Sequence, residues 1–191
     1  MARIRTFIAL QLARPVQTRL RELQENLART TSNIKWVSAE NLHLTLLFLG
    51  EVEQLEVVAI CRAVKARAEH HEPFEMEIRG VGGFPNGRRP KILWAGIGAG
   101  SEPLKALHAD LEAALLDLGC YRREDRAYTP HLTLGRLSAE DDDDVWGKLL
   151  AAQTGFDGGY SQVAEVLVMA SEQRRDGYEY SVMGRGRLGA E

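Results

Sequence analysis

Apolar residues along the chain alternate between a period of two and a period near 3.6, and the alternation predicts interleaved strands and helices. Phe7, Ile8, Ala9 and Leu10 form a short apolar run that predicts a first strand over residues 4–12. Pro15 suits a first helical turn, where a missing N–H costs nothing, and Val16, Leu20, Leu23 and Leu27 continue at helical spacing to about Ala28. From Trp36 a strand is read through Asn41 to Leu49, with His43, Thr45 and Leu47 alternating with Leu42, Leu44 and Leu46. Gly50 is read as its end. Residues 55–69 read as a helix, and residues 74–81 alternate as a strand. The turn-rich stretch from Gly82 to Gly87 then leads to a returning strand over Lys91 to Ile97. Ser101 is read as an N-cap, Leu104, Leu107, Leu111 and Leu115 as the stripe of the next helix, and Gly119 as its stop. A strand carries His131 to Leu134. Ser138 with Asp141 resembles a capping box for a helix to about Ala152, and Val163–Ala170 with Tyr178–Leu188 read as a final strand pair.

No linker-like segment divides this pattern, so residues 1–191 read as one α+β domain, or one domain made of two intimate lobes. Hydrophobic residues at 45% and charged residues at 27% are ordinary for a globular core and exclude a disordered chain. The net charge of −3 excludes a generally basic nucleic-acid binder, so any RNA contact must come from a local patch. Cys61 and Cys120 lie too far apart in sequence to suggest a metal pair, and two cysteines make no disulfide framework; a reducing cytoplasm is the expected setting. The apolar run near the N-terminus is too short for a signal peptide or a membrane span, so no membrane association is expected.

Candidate chemistry enters with a repeated tetrapeptide. His-Leu-Thr-Leu occurs at residues 43–46 and again at 131–134, nearly half the chain apart, with a helix before each copy. On a strand, residues i and i+2 share a face. His43 and Thr45 therefore project together, as do His131 and Thr133, while the leucines enter a core behind them. If the two strands lie about a pseudo-two-fold axis, two imidazoles and two hydroxyls converge, as an internal duplication would arrange. That set suits phosphodiester cleavage. A neutral imidazole can take a proton from water and a protonated one can give a proton to the departing ribose oxygen. The threonine hydroxyls can donate to non-bridging phosphate oxygens. A strained 2′,3′-cyclic phosphate carries its own leaving group, so neither a metal nor another cofactor is required. A single histidine in a strand is more often structural; two identical copies among five histidines weigh against that reading without removing it.

The flanking residues are similar to those of the 2H phosphoesterases, and within them to the RNA 2′,3′-cyclic phosphodiesterases, also called 2′-5′ RNA ligases. The resemblance rests on Arg5 to Leu10, Trp36-Val37 with Glu40 to Leu46 and Phe48-Leu49-Gly50, Gly80 to Pro85, Leu93 to Gly96, and Pro130 to Arg136. It implies a bilobal fold of two antiparallel sheets lining a cleft, with helices outside. It implies His43 as proton donor and His131 as acceptor in opening a 2′,3′-cyclic phosphate on RNA, or on a small cyclic nucleotide, to a 2′-phosphomonoester. Leu47 stands where many members of the family carry a basic residue, which makes Arg136 the better phosphate contact.

Other features admit two readings each. Arg88, Arg89 and Lys91, and Arg122, Arg123 and Arg126, are RNA contacts or solvated loops, the latter favoured for either cluster alone. Arg3 and Arg5 either line the cleft or decorate an edge. Phe48, Phe84, Trp94 and Tyr128 could stack on a base, with Tyr128 the preferred candidate; Trp36 and Trp94 are assigned to the core. The acidic run Asp141–Asp144 is read as decorating a helix N-terminus. Ligation of RNA halves in a 2′-5′ linkage is the reverse reaction by the same groups, and a nucleotide- or RNA-binding module with little turnover is the non-enzymatic alternative. A monomer is expected, because the site closes within one chain.

Overall fold

The computed structural model describes residues 3–31, 33–85, 90–123, 127–137, 143–175 and 177–189. Within them the chain runs β1 (Arg3–Gln11), α1 (Arg14–Ala28), β2 (Ile34–Trp36), a 3₁₀ turn (Ala39–Asn41), β3 (His43–Glu53), α2 (Gln54–Ala68), β4 (Phe74–Phe84) and β5 (Ile92–Ile97). It continues through α3 (Ser101–Asp117), β6 (His131–Leu137), α4 (Asp143–Ala152), β7 (Asp157–Val163), β8 (Glu165–Arg174) and β9 (Gly177–Arg187). The strands form two antiparallel sheets, ordered β3-β1-β8-β9 and β2-β6-β5-β4-β7.

The architecture is the α+β, two-sheet arrangement expected from the sequence, with the motif strand β3 in one sheet and β6 in the other. A pseudo-two-fold relation is visible in connectivity. β1–α1–β3 and β5–α3–β6 are both strand–helix–strand units, and in each the motif strand pairs with the strand that opens the unit. The order then continues outward through β8 and β9 on one side and β4 and β7 on the other.

Leu44, Leu46, Leu132 and Leu134 are buried, as the alternation requires, in one core with Leu20, Leu23 and Leu27 of α1 and Leu104, Leu107 and Leu111 of α3. α2 lies on β8 and β9, α1 on β7, and α3 touches β3 and β4, one strand from each sheet. No helix among the described residues is long and apolar enough to cross a membrane.

Four expectations change. The segment from Trp36 to Leu49 is not one strand: β2 pairs with β6, the 3₁₀ turn follows, and β3 joins the other sheet. Gly50 does not end β3. Register shifts from Phe7↔Phe48 to Thr6↔Gly50, leaving Leu49 unpaired, and Gly50 at φ +73° lets the strand bend and continue to Glu53. Ser101 is the first residue of α3 rather than its cap; Gly100 caps it at φ +83°, where a Cβ would sit 2.2 Å from the Glu75 carbonyl oxygen. Trp94 is half-buried and leaves the core to Leu93 and Ala95 on either side of it in β5, while the fully buried indole is Trp146. β7 escaped notice because Gly158-Gly159 weakens its strand signature. The Ser138–Asp141 capping box and Arg88, Arg89 and Arg126 fall outside the described residues.

Candidate active site

Both motif strands are bulged at the same place. Ala9 pairs with Thr45 but Ile8 with Leu47, so Leu46 has no partner. Trp94 pairs with Thr133 but Leu93 with Gly135, so Leu134 has none. Each bulge follows the threonine directly. It has two consequences, one for side chains and one for backbone.

A bulge reverses the parity of the strand beyond it. His43 and Thr45 face away from Leu44 and Leu46, and after the bulge Phe48, three residues from Thr45, comes back to their side. His131, Thr133 and Arg136 repeat the pattern. Thr45, Phe48, Thr133 and Arg136, with His43, line or border one cleft of about 980 Å³, whose remaining wall includes Arg5, Lys35, Trp36, Tyr178 and Tyr180. His131 stands beside this wall, its ring 5.0 Å from Phe84 at 85°.

The backbone consequence is that a bulge interrupts the ladder, and the carbonyls beside it need other partners. Leu134 oxygen accepts from the Val37 N–H at 2.9 Å and from the side-chain amide of Gln24 at 2.9 Å; the same amide also donates to the Val37 oxygen at 2.8 Å. Gln24 is 6% exposed on α1, so both its protons are used in a nearly dry setting. At the other bulge the Tyr128 hydroxyl donates to the Thr45 carbonyl at 3.2 Å. α1 belongs to the unit that carries β3 yet braces β6; Tyr128, just before β6, braces β3. The two halves hold each other's motif strands.

The histidines are set alike. His43 Nδ1 lies 2.7 Å from the Asn41 carbonyl oxygen, and His131 Nδ1 lies 2.7 Å from that of Thr129. A carbonyl only accepts, so Nδ1 carries the proton in each neutral ring and Nε2 is left for chemistry. His43 Nε2 sits 3.0 Å from the Thr45 hydroxyl. Asn41 does double service, since its side-chain amide donates to the Tyr178 carbonyl at 2.8 Å and ties the turn before β3 to β9. His43 is packed between Phe7, 5.0 Å away, and Tyr180, 5.3 Å away and edge-on. Burial pushes His43 below the usual histidine value, with the Asn41 hydrogen bond pulling partly back.

Arg136 is exposed in the cleft and directly opposite Lys35 on β2, and neither forms an ion pair among the described residues. Like charges facing across a ladder repel, and an anion between them would relieve the repulsion. Burial raises the Tyr180 phenol pKa, against the lowering influence of the Arg5 and Arg136 guanidiniums, which belong to different sheets.

Tyr128, the preferred base-stacking candidate, has contacts of its own in the structure. Its ring is stacked on His108 at 3.9 Å and 7°, its hydroxyl is committed to Thr45, and burial raises its pKa. One ring face is already covered, and the side chain acts as a brace. Trp36 is half-buried and lines the cleft rather than sitting wholly in the core. Arg122, Arg123 and Lys91 are exposed and do not line the cleft, whereas Arg5 does. Gln24, Asn41, Lys35 and Tyr180 went unassigned in the sequence. Only Gln24 left a trace, as a polar residue within the apolar stripe of α1.

A model of the 2′-5′ RNA ligase superfamily matches residues 12–172. The chain belongs to this superfamily. The RNA 2′,3′-cyclic phosphodiesterase of Methanothermobacter thermautotrophicus is 32% identical over 186 residues, 97% of this chain and 100% of that protein. The protein of the same name from Aeropyrum pernix is 31% identical over 176 residues, 89% of this chain and 98% of its own. Among solved structures, TT0787 of Thermus thermophilus superposes with a TM-score of 0.83 at 28% identity, covering 98% of this chain and 99% of that one. The likeness in fold agrees with the two-sheet architecture.

Two outcomes follow from the geometry. Gln24→Leu, which keeps the volume but removes the amide, should lower the unfolding free energy by about 1–3 kcal/mol, read as a shift of urea midpoint at constant slope; unchanged stability would refute the brace. In the free protein, NMR titration should place His43 below about 6.5, with nitrogen shifts reporting Nδ1 as the protonated site of the neutral ring. A midpoint at or above that value would show that burial does not dominate.

Proposed function

We propose that this chain hydrolyses 2′,3′-cyclic phosphate ends of RNA to 2′-phosphomonoesters, without a metal, by acid–base catalysis between His43 and His131. The observation that carries the reading is the duplicated constellation: on each bulged strand a histidine is held by a carbonyl at Nδ1, with a threonine two residues on facing the same side. The names of the relatives, each an RNA 2′,3′-cyclic phosphodiesterase, support the same reaction.

In the proposed step the cyclic phosphate lies between the two strands. His131 Nε2 takes a proton from water as the water oxygen bonds to phosphorus. The P–O3′ bond breaks and His43 Nε2 gives its proton to O3′, leaving the phosphate on O2′. Thr45 and Thr133 donate to the non-bridging oxygens, where charge grows. Arg136 and Lys35 hold the anion electrostatically. Burial disfavours the charged His43 that this role needs, but the arriving phosphate anion favours it, so His43 acquires its proton-donor form as substrate binds.

The decisive assay incubates the protein, with EDTA and no ATP, with an oligoribonucleotide ending in a 2′,3′-cyclic phosphate. A 2′-phosphate terminus is expected. His43→Ala and His131→Ala should each lose about 10²- to 10⁴-fold in turnover. Inactive wild type, turnover only with added metal, or full activity in both variants would overturn the proposal.

A further inference from the structure

Each motif histidine is clamped by a carbonyl two residues upstream, Asn41 for His43 and Thr129 for His131, at 2.7 Å from Nδ1 in both cases. Such a clamp is only as steady as the peptide plane that carries the carbonyl, and that plane turns with the backbone of the residue in between. Before β6 that residue is Pro130, whose ring fixes φ at about −65° and confines Thr129 to extended backbone. Before β3 it is Leu42, which holds φ −69°, close to the angle a proline ring imposes, but has no ring to enforce it. The Leu42 N–H closes the 3₁₀ turn on the Ala39 oxygen at 3.3 Å, a bond that a proline cannot make.

What stands before β3 instead is a side-chain tether. The Asn41 amide donates to the Tyr178 oxygen at 2.8 Å. β3 and β9 are the two edges of their sheet, so this bond joins strands that no ladder connects. Two residues on in β9, the Tyr180 ring stands edge-on to His43 at 5.3 Å, and both rings contact Phe7. A tether that only stabilised the fold would be unremarked here, because the bond is exposed and its loss costs little. But one residue supplies both the tether and the clamp. Asn41 is pinned to β9 by its side chain and to the imidazole by its carbonyl.

We propose that Asn41 is a positioning residue that does for His43 what Pro130 does for His131: its amide, anchored on β9, keeps its own carbonyl on Nδ1 and so keeps Nε2 directed at the substrate. This rests on the hydrolase reading above. Without the tether the neutral ring has a second state within reach. The Thr45 hydroxyl, 3.0 Å from Nε2, can accept a proton from that nitrogen as well as donate to it. A ring drawn to Thr45 in this way loses its alignment for proton transfer to O3′. The two clamps then differ in kind. That of His131 is covalent, whereas that of His43 depends on β9, whose Tyr178 and Tyr180 line the cleft the substrate enters.

Asn41→Ala keeps the carbonyl and removes only the amide. On an oligoribonucleotide ending in a 2′,3′-cyclic phosphate, its kcat should fall about tenfold or more, because slight misplacement of a reacting group is costly, while KM stays within about twofold. Nitrogen shifts should show the neutral His43 ring as a mixture of its two tautomers, with His131 still protonated at Nδ1 in the same spectrum. His131 is the folding control, since an unfolded fraction alters both rings alike. A wild-type kcat, a rise in KM alone, a His43 ring that stays wholly Nδ1–H, or a change shared by both rings would overturn the proposal. Wild type that turns over no cyclic phosphate would instead overturn the hydrolase reading, and the nitrogen shifts would still decide whether the tether holds the ring.

Discussion

A backbone carbonyl taken out of a β-ladder and kept from water must find another donor, and the candidate site is organised around that requirement. Each motif strand gives up one ladder position, at Leu46 and at Leu134, so that a residue beyond the threonine can return to the cleft. Beside these positions, Leu134 oxygen accepts from the Gln24 amide as well as from the Val37 N–H, and Thr45 oxygen accepts from the Tyr128 hydroxyl. Each donor comes from the structural unit opposite the strand it braces. The two motif strands are therefore tied across the halves by hydrogen bonds that are buried or partly buried, whose loss costs more than that of surface contacts.

A related arrangement holds the histidines. Fixing Nδ1 on a backbone carbonyl chooses the tautomer and the ring plane without using a titratable partner. His43 then stands under two opposed influences, burial that favours the neutral ring and the Asn41 hydrogen bond that favours the charged one. The aromatic neighbours Phe7 and Tyr180 enforce the burial, and Phe84 plays a comparable packing role beside His131. A near-symmetric scaffold thereby carries two imidazoles in unequal surroundings, as the proposed division into acid and base needs.

Much of this was legible in the chain. The period-two runs marked β1, β3, β4, β5, β6, β8 and β9, and the leucine stripes marked α1 and α3, because burial against one partner leaves a regular trace. The duplicated tetrapeptide marked the four central residues for the same reason. The surroundings of Trp36, which packs on the core and also lines the cleft, and of Tyr128, which stacks on His108, were not legible because an aromatic side chain reads the same in sequence whether it faces a core, a cleft or another ring. β2 was merged with β3 because two short extended segments in different sheets look continuous along one chain.

The sequence by itself determined which residues alternate, hence which side of each strand is polar, and it placed His43 with Thr45 and His131 with Thr133. Local backbone geometry is enough for that. Only the tertiary structure decided where the alternation breaks. The bulges lie where the strands pair with β1 and β5 in a particular register, and Gln24 and Tyr128, each from the other half, donate to carbonyls beside them. Through those breaks Phe48 and Arg136 enter the cleft beside the histidines, and no local pattern in either tetrapeptide specifies that.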